Sequence, residues 1–367
     1  MNKYTKILLI ILVIALLLRI IHIGDKAPGT DELHSINNSK TILEKGLSEV
    51  QDFGNPPGFF YFSGIILLLN SVLLLKLIMV SLGLLTIFLT YLIVKKLFDE
   101  KLALVASFLL AINPMHVLYS QHIRVYILLM VIYLISTLAL YNLIKNKDNK
   151  NLILIIFTYA AAIYLHYFSA VFILAHIITL FYFARRDKRL MKKYVLALFI
   201  TGIICLPLIP YFLWQYNYMI TQGGLTTLNK LNVLDSPYPI YKFSSMMDIS
   251  STLQLAPYLI ITAPLVFLAF LFGSYQLYNK KRKEMLFILL SLILPILILV
   301  LIGLFFPVYS FRYLTYLLPL YIIPIAQLSK NKKGIICLGV IVLLWILILI
   351  QYYSMVITKG WPINFAI

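Results

Sequence analysis

Long apolar runs recur along this chain, separated by short lysine-rich connections, and that alternation constrains the fold more than any motif. The first run, Ile7 to Ile23, is apolar except for Arg19 and His22 near its far end. At about 17 residues it is long enough to cross ~30 Å of hydrocarbon. A cleaved signal peptide is the other reading of such a start, but no small-residue cleavage site of the A-x-A kind follows, so the run reads as a first transmembrane helix. Further runs occupy 77–94, 102–119, 126–144, 152–166, 168–184, 194–213, 251–278, 285–305, 312–328 and 334–357. The expected fold is an all-α polytopic membrane protein with about eleven transmembrane helices. Composition agrees: 62% of residues are hydrophobic and 12% charged, with a mean hydropathy of +0.95, against roughly 25% charge in a soluble domain.

The connections give an orientation. "MNKYTK", "KKLFDEK", "IKNKDNKN", "RRDKRLMKK", "NKKRKE" and "KNKKG" occupy every second connection and hold 21 of the 31 lysines and arginines. The positive-inside rule places them in the cytoplasm, with the N-terminus beside them and the C-terminus external. The net charge of +18 follows from this topology, so nucleic-acid binding is not needed to explain it. Segment 56–75, "PPGFFYFSGIILLLNSVLLL", is apolar enough to span, but a crossing there would invert the later loops. It reads as a re-entrant or interfacial helix of a first external loop, 24–76. Cys205 and Cys337 both lie in apolar runs and imply neither a disulfide framework nor a thiolate metal site.

The external face then collects Asp25, Asp31, Glu32, Glu44, Glu49, Asp52, Asp235 and Asp248. With them come cations outside any lysine cluster, namely Lys76, Arg124 and Arg312, and His166. Carboxylates in one loop and lone cations at helix ends suit an active site with an anionic substrate.

Ordered motifs run through these residues: "TDELHSI" with Asp31 and Glu32; "NPPGFFYF" from Asn55; Lys76 ahead of a small-residue helix; "NPMHVLYSQHIRVYILL" with Arg124 and Tyr126; "AAIYLHYFSAVFIL" with His166 and Tyr167; and "FRYLTYLLPLYIIPIA" with Arg312, Tyr313 and Pro319. In this order the chain resembles the GT-C membrane glycosyltransferases, specifically the glycosyltransferase family 39 group that includes protein O-mannosyltransferases and the lipid A aminoarabinose transferase. The resemblance covers about the first 180 residues and the block at Arg312; Met191 to Ile302 matches only in being helical. It implies transfer of a hexose, mannose-like, from a polyprenyl-phosphate donor in the membrane lipids to a hydroxyl of a glycan, lipid or protein acceptor on the external face, with inversion. Asp31 is implied as the base and Glu32 as its partner. Lys76, Arg124 and Arg312 are implied as a phosphate clamp, with Tyr126, His166, Tyr167 and Tyr313 in substrate binding. A divalent cation, if used, would fall to Asp31, Glu32 and His34. Two departures stand out: Asn55 replaces the histidine or acidic-basic dipeptide usual before the proline pair, and Lys76 replaces the more usual arginine. The expected organisation is a single transmembrane domain over 1–367, a second external loop at 214–250 that serves as a lid, and no soluble C-terminal domain.

Plainer readings stand beside these. Asp31 and Glu32 suit the first turn of an interfacial helix from Leu33 to Leu47. Arg124 suits a snorkelling cation and His166 an aromatic-belt residue. His176 suits a packed, hydrogen-bonded core residue, and "NNS" at Asn37 a chance sequon. A secondary transporter or lipid-linked glycan flippase would also be polytopic, and Pro207, Pro210, Pro257, Pro264 and Pro295 interrupt helices as transporter prolines do. The scarcity of charge within the spans, and the lack of a half-to-half repeat, favour the enzyme over the transporter. The Asp31 site and the scattered external cations favour it over a non-catalytic assembly subunit.

Overall fold

The computed structural model describes residues 2–50, 52, 54–221, 231, 237–245, 256–306 and 310–359. Among them the regular structure is helical. In chain order the helices are α1 (Lys3–Ile20), α2 (Thr30–Glu44), α3 (Gly58–Leu67), α4 (Val72–Leu97), α5 (Glu100–Ala111), α6 (Pro114–Gln121), α7 (Val125–Asn146), α8 (Asn149–Leu165), α9 (Ser169–Ala184), α10 (Lys188–Cys205), α11 (Ile209–Thr221), α12 (Tyr238–Ser245), α13 (Ala256–Lys280), α14 (Arg282–Phe305), α15 (Leu318–Ala326) and α16 (Lys332–Lys359).

Local chemistry sets many of the boundaries. Asn2, Ser71, Asp99, Asn113, Asp148 and Asp187 each accept a backbone N–H of the first turn of the helix that follows, which satisfies donors that would otherwise lack a partner. Among the described residues six segments are long and apolar enough to cross a membrane, or seven if α5 and α6, bent by 62°, form one span. The chain is a multi-pass membrane protein. The expected count of eleven is not confirmed: α8 and α9 are apolar but, at 17 and 16 residues, sit at the lower limit of a spanning length, α1 carries Lys3, Lys6 and Arg19, and α15 is a nine-residue helix behind a 3-10 turn.

Two other expectations change. Segment 56–75 is not one helix: α3 has ten residues, about 15 Å, and 72–75 opens α4. Gly58 belongs to the close packing of α3 on α8, since a Cβ there would collide with the Tyr164 carbonyl. The expected lid over 214–250 also begins as helix, because 214–221 extends α11 and 238–245 forms α12; its residues 222–230, 232–236 and 246–250 lie outside the described residues.

The bend between α5 and α6 follows from Pro114 at the first position of α6, which lacks the N–H that would have continued the ladder. Arg19 of α1, fully buried, closes this break. Its Nη1 donates to the carbonyls of Ala111 (2.9 Å) and Ala15 (2.8 Å), its Nε to Ser120 Oγ (3.2 Å) and its Nη2 to His116 Nδ1 (2.6 Å). His116 then meets Thr86 through Nε2 at 2.6 Å, and Thr86 donates to the Gly83 carbonyl. One guanidinium thus joins α1, α4, α5 and α6. Arg19→Met leaves these buried acceptors unpaired, and a loss of about 3 kcal/mol or more is expected. Thermal unfolding in detergent measures it; an unchanged midpoint would show that the network contributes nothing.

Candidate active site

The N-terminus of α2, the 122–125 connection and the residues before α15 meet in one cleft. Its walls include Gly29, Asp31 and Glu32 from the first, His122 and Arg124 from the second, and Arg312 from the third. Tyr119 and Tyr126 line it as well. Thus Asp31, Glu32, Arg124, Tyr126 and Arg312, separated by up to 281 positions, are brought together.

Asp31 is the accessible carboxylate. Its Oδ2 accepts from Arg312 Nη1 at 2.7 Å, with the aspartate side chain 47% exposed and the arginine 23%. Arg124 donates through Nη1 to the Asp31 carbonyl (3.1 Å) and to Ser35 Oγ (2.9 Å), and lies over the Tyr126 ring at 5.9 Å. Its Nε is buried without a hydrogen-bond partner.

Glu32 is different: it is 3% exposed, and both carboxylate oxygens are occupied by backbone. Oε2 accepts from the Gly29 N–H (3.0 Å) and Oε1 from the Ile123 N–H (2.9 Å). Burial opposes its ionisation, but His122, Lys26 and these two N–H donors outweigh burial and hold the carboxyl below its ordinary value. His122 is pushed down to about 3 by burial, with Lys26 adding to the shift and Glu32 opposing it. Glu32 therefore fastens α2 to the segment between His122 and Arg124.

Lys76 does not reach the cleft. Its Nζ donates to the backbone carbonyls of Ile23 (3.0 Å) and Lys26 (2.5 Å), so the expected clamp residue instead pins the strand of chain leading into α2. The cation it positions is Lys26, 4% exposed, whose own Nζ has no hydrogen-bond partner. Sequence reading passed over Lys26 because "DKAPG" looks like a solvated turn. Burial brings its pKa down to about 8, with Glu32 opposing and Lys76 adding to the shift. An ammonium whose folded value lies below its ordinary 10.5 destabilises the fold fully below pH 8, where both states are charged, and that cost is relieved as pH rises from 8 towards 10.5. The thermal midpoint of the wild type should therefore gain on that of Lys26→Met between pH 7 and 9.5. A pH-independent difference would show that Lys26 is not held this way.

The remaining expected residues stand behind the cleft. His166 is 3% exposed; its ring lies 6.5 Å from Tyr126 and 4.7 Å from Tyr313, and Tyr313 stacks on Phe168 at 4.6 Å. Together they form an aromatic backing for Tyr126. Tyr167 points elsewhere, donating to Gln215 Oε1 (2.8 Å), while Gln215 Nε2 holds the carbonyls of Asp52 and Asn55. His34 turns away from Asp31 and Glu32 towards Asp52, Nε2 to Oδ2 3.1 Å. Burial opposes ionisation of Asp52, yet His34 and the donors of Gly54 and Asn55 hold it below its ordinary value. Asn55 thus serves the Asp52 cage. The trio Asp31, Glu32 and His34 is not assembled as a cation site. Among the described residues no group of three or more His, Cys, Asp or Glu side chains is placed to hold a metal ion. Of the lining residues, Gly29, Tyr119 and His122 escaped sequence reading, although Tyr119 and His122 sit in the "YSQHIRVY" stretch that marked Arg124.

Three comparisons bear on this arrangement. Residues 54–214 match the family described as dolichyl-phosphate-mannose-protein mannosyltransferase. No curated protein sequence matches the chain. Among solved structures, ArnT from Cupriavidus metallidurans in the apo state superposes with a TM-score of 0.62 at 12% identity, over 91% of this chain and 63% of that one. The same protein bound to undecaprenyl phosphate gives 0.62 at 13% identity, with the same coverage. The Archaeoglobus fulgidus oligosaccharyltransferase, tethered to an acceptor peptide containing the NVT sequon, gives 0.55 at 14% identity, over 89% of this chain and 49% of that one. The chain thus spans less than two thirds of the length of these structures.

Proposed function

Taking as premise that the chain has the GT-C glycosyltransferase fold and that residues 54–214 carry the mannosyltransferase family's pattern, we propose that it is a membrane glycosyltransferase. It moves a hexose, mannose-like, from a polyprenyl-phosphate carrier to an acceptor hydroxyl on the external face of the cell membrane. The reading extends to the whole of 1–367 as one catalytic domain. The observation that carries it is the meeting of Asp31 with Arg124 and Arg312 in one cleft at the ends of membrane helices.

In this reading, the acceptor oxygen attacks the anomeric carbon while the bond from that carbon to the phosphate oxygen breaks. The phosphate leaves with the bonding electron pair. Arg124 and Arg312 stabilise its developing charge, as preorganised donors do for any oxyanion leaving group. Asp31 takes the acceptor proton at its carboxylate. Attack opposite the phosphate inverts the anomeric centre. Tyr119 and Tyr126 offer faces for the sugar ring, and His166 and Tyr313 keep Tyr126 in place.

The test is transfer of radiolabelled mannose from polyprenyl-phosphate mannose by purified protein in vesicles, with the product's anomeric configuration read by NMR. A labelled product of inverted configuration is expected. Absence of product with any polyprenyl-phosphate hexose, together with gradient-driven solute uptake, would instead establish a transporter.

A further inference from the structure

The opposite end of the helix bundle carries a second, unassigned cleft. α7 starts beside Arg124 and runs 22 residues, about 33 Å, to Lys147. α9 starts beside His166 and ends at Ala184. Their far ends meet the start of α10 in two adjoining concavities. One is lined by Lys147, Arg185, Arg186 and Lys188, the other by Lys147, Arg189 and Lys193, and Asp187 is the lone carboxylate of both.

At other basic helix ends some of the cations are held in ion pairs. Lys95 pairs with Glu100 (2.6 Å), Lys330 with Asp99 (3.1 Å) and Lys145 with Glu284 (3.4 Å). In the cleft Asp187 takes Lys147 at 2.7 Å, and Lys193 donates to Asn149 at 2.8 Å. The side chains of Arg185, Arg186, Lys188 and Arg189 have no ion-pair or hydrogen-bond partner among the described residues. Apolar side chains complete the hollow, with Ile144, Phe183 and Leu190 in its wall and Tyr182 at its edge, 53% exposed. Unpaired guanidinium groups next to an apolar wall at the end of membrane helices match a ligand with a phosphate and an acyl chain.

We infer that this cleft binds the phosphate headgroup of an anionic phospholipid, on the face opposite the Asp31 site. Arg185 and Arg186 supply paired N–H donors to the phosphate oxygens, and Lys188 and Arg189 add charge. Ile144 and Phe183 receive the first methylenes of the chain. A cation near an anionic surface contributes about fivefold in affinity, so removing three should lower retained lipid by roughly a hundredfold.

The experiment uses the full-length protein reconstituted in phosphatidylcholine with increasing phosphatidylglycerol. Bound lipid is counted by native mass spectrometry and stability is read by thermal unfolding. Wild type should retain phosphatidylglycerol and unfold at a higher temperature as its fraction rises. R185A/R186A/K188A should lose both responses, and a control at another basic turn, K281A/K283A, should keep them. Inorganic phosphate added to lipid-free detergent should produce no shift. Should the triple variant fail to fold, R185Q/R186Q provides the same comparison, with R185K/R186K expected to retain the lipid. Equal lipid retention by wild type and by R185A/R186A/K188A or R185Q/R186Q would overturn the inference. So would a phosphate shift equal to that of the lipid, since it would make this a site for the free anion.

Discussion

Asp31→Asn should lower transfer from a polyprenyl-phosphate sugar by roughly 10²–10⁴-fold in kcat, the range associated with loss of a positioned general base. The substitution is close to isosteric. An asparagine side-chain oxygen still accepts from Arg312, which now lies 2.7 Å from Asp31 Oδ2, so the three segments of the cleft remain joined. What disappears is the charge and the proton acceptor. The donor KM is the informative control. Asp31 and a donor phosphate compete for the same guanidinium, so neutralising Asp31 should leave donor binding unchanged or tighter while kcat collapses. Wild-type kcat in Asp31→Asn would remove the base assignment. A raised donor KM with unchanged kcat would recast Asp31 as part of donor binding. Asp31→Glu keeps the charge but moves it by one methylene, and it should recover part of the rate.

Much of the scaffold was legible because hydropathy is local. Apolar runs mark the helices, and the structure adds their caps, with Ser71, Asp99, Asp148 and Asp187 accepting first-turn N–H groups. The runs 152–166 and 168–184 already had nearly the extents of α8 and α9; less legible was a break within a run, since apolar letters alone do not reveal that Pro114 folds one run into two. The site was legible where charge is rare: Asp31, Arg124 and Arg312 stand out against apolar surroundings and do converge. It was illegible where a residue's role depends on distant backbone. Nothing near Lys76 in sequence announces the carbonyls of Ile23 and Lys26 that occupy it. Likewise, nothing near Tyr167 announces Gln215. Lys26 and His122 were hidden for the converse reason, since each looks ordinary in its own stretch and is unusual only in its burial.

Glu32→Ala should be the most destabilising change at the cleft, at about 3–5 kcal/mol, the cost of removing one partner from a buried charged network. The truncation strips acceptors from the N–H groups of Gly29 and Ile123, and it leaves Lys26, buried and without a hydrogen-bond partner, without the carboxylate that opposes its loss of charge. Glu32→Gln should lose less, since its amide oxygen serves one N–H while its NH2 group faces the other. The decisive measurement is a double-mutant cycle with Lys26→Met, read by thermal or denaturant unfolding in detergent. Removing the ammonium also removes the buried charge that Glu32→Ala would leave exposed to an apolar surrounding. The two changes together should therefore cost less than their sum by more than about 1 kcal/mol, the size expected for residues in one network. Strict additivity would show that Glu32 acts only through the two backbone donors. Transfer activity separates the roles further: Glu32→Gln, with α2 still fastened by one bond, should keep a larger share of wild-type kcat than Asp31→Asn, because a residue that positions the cleft is replaceable in a way that the proton acceptor is not.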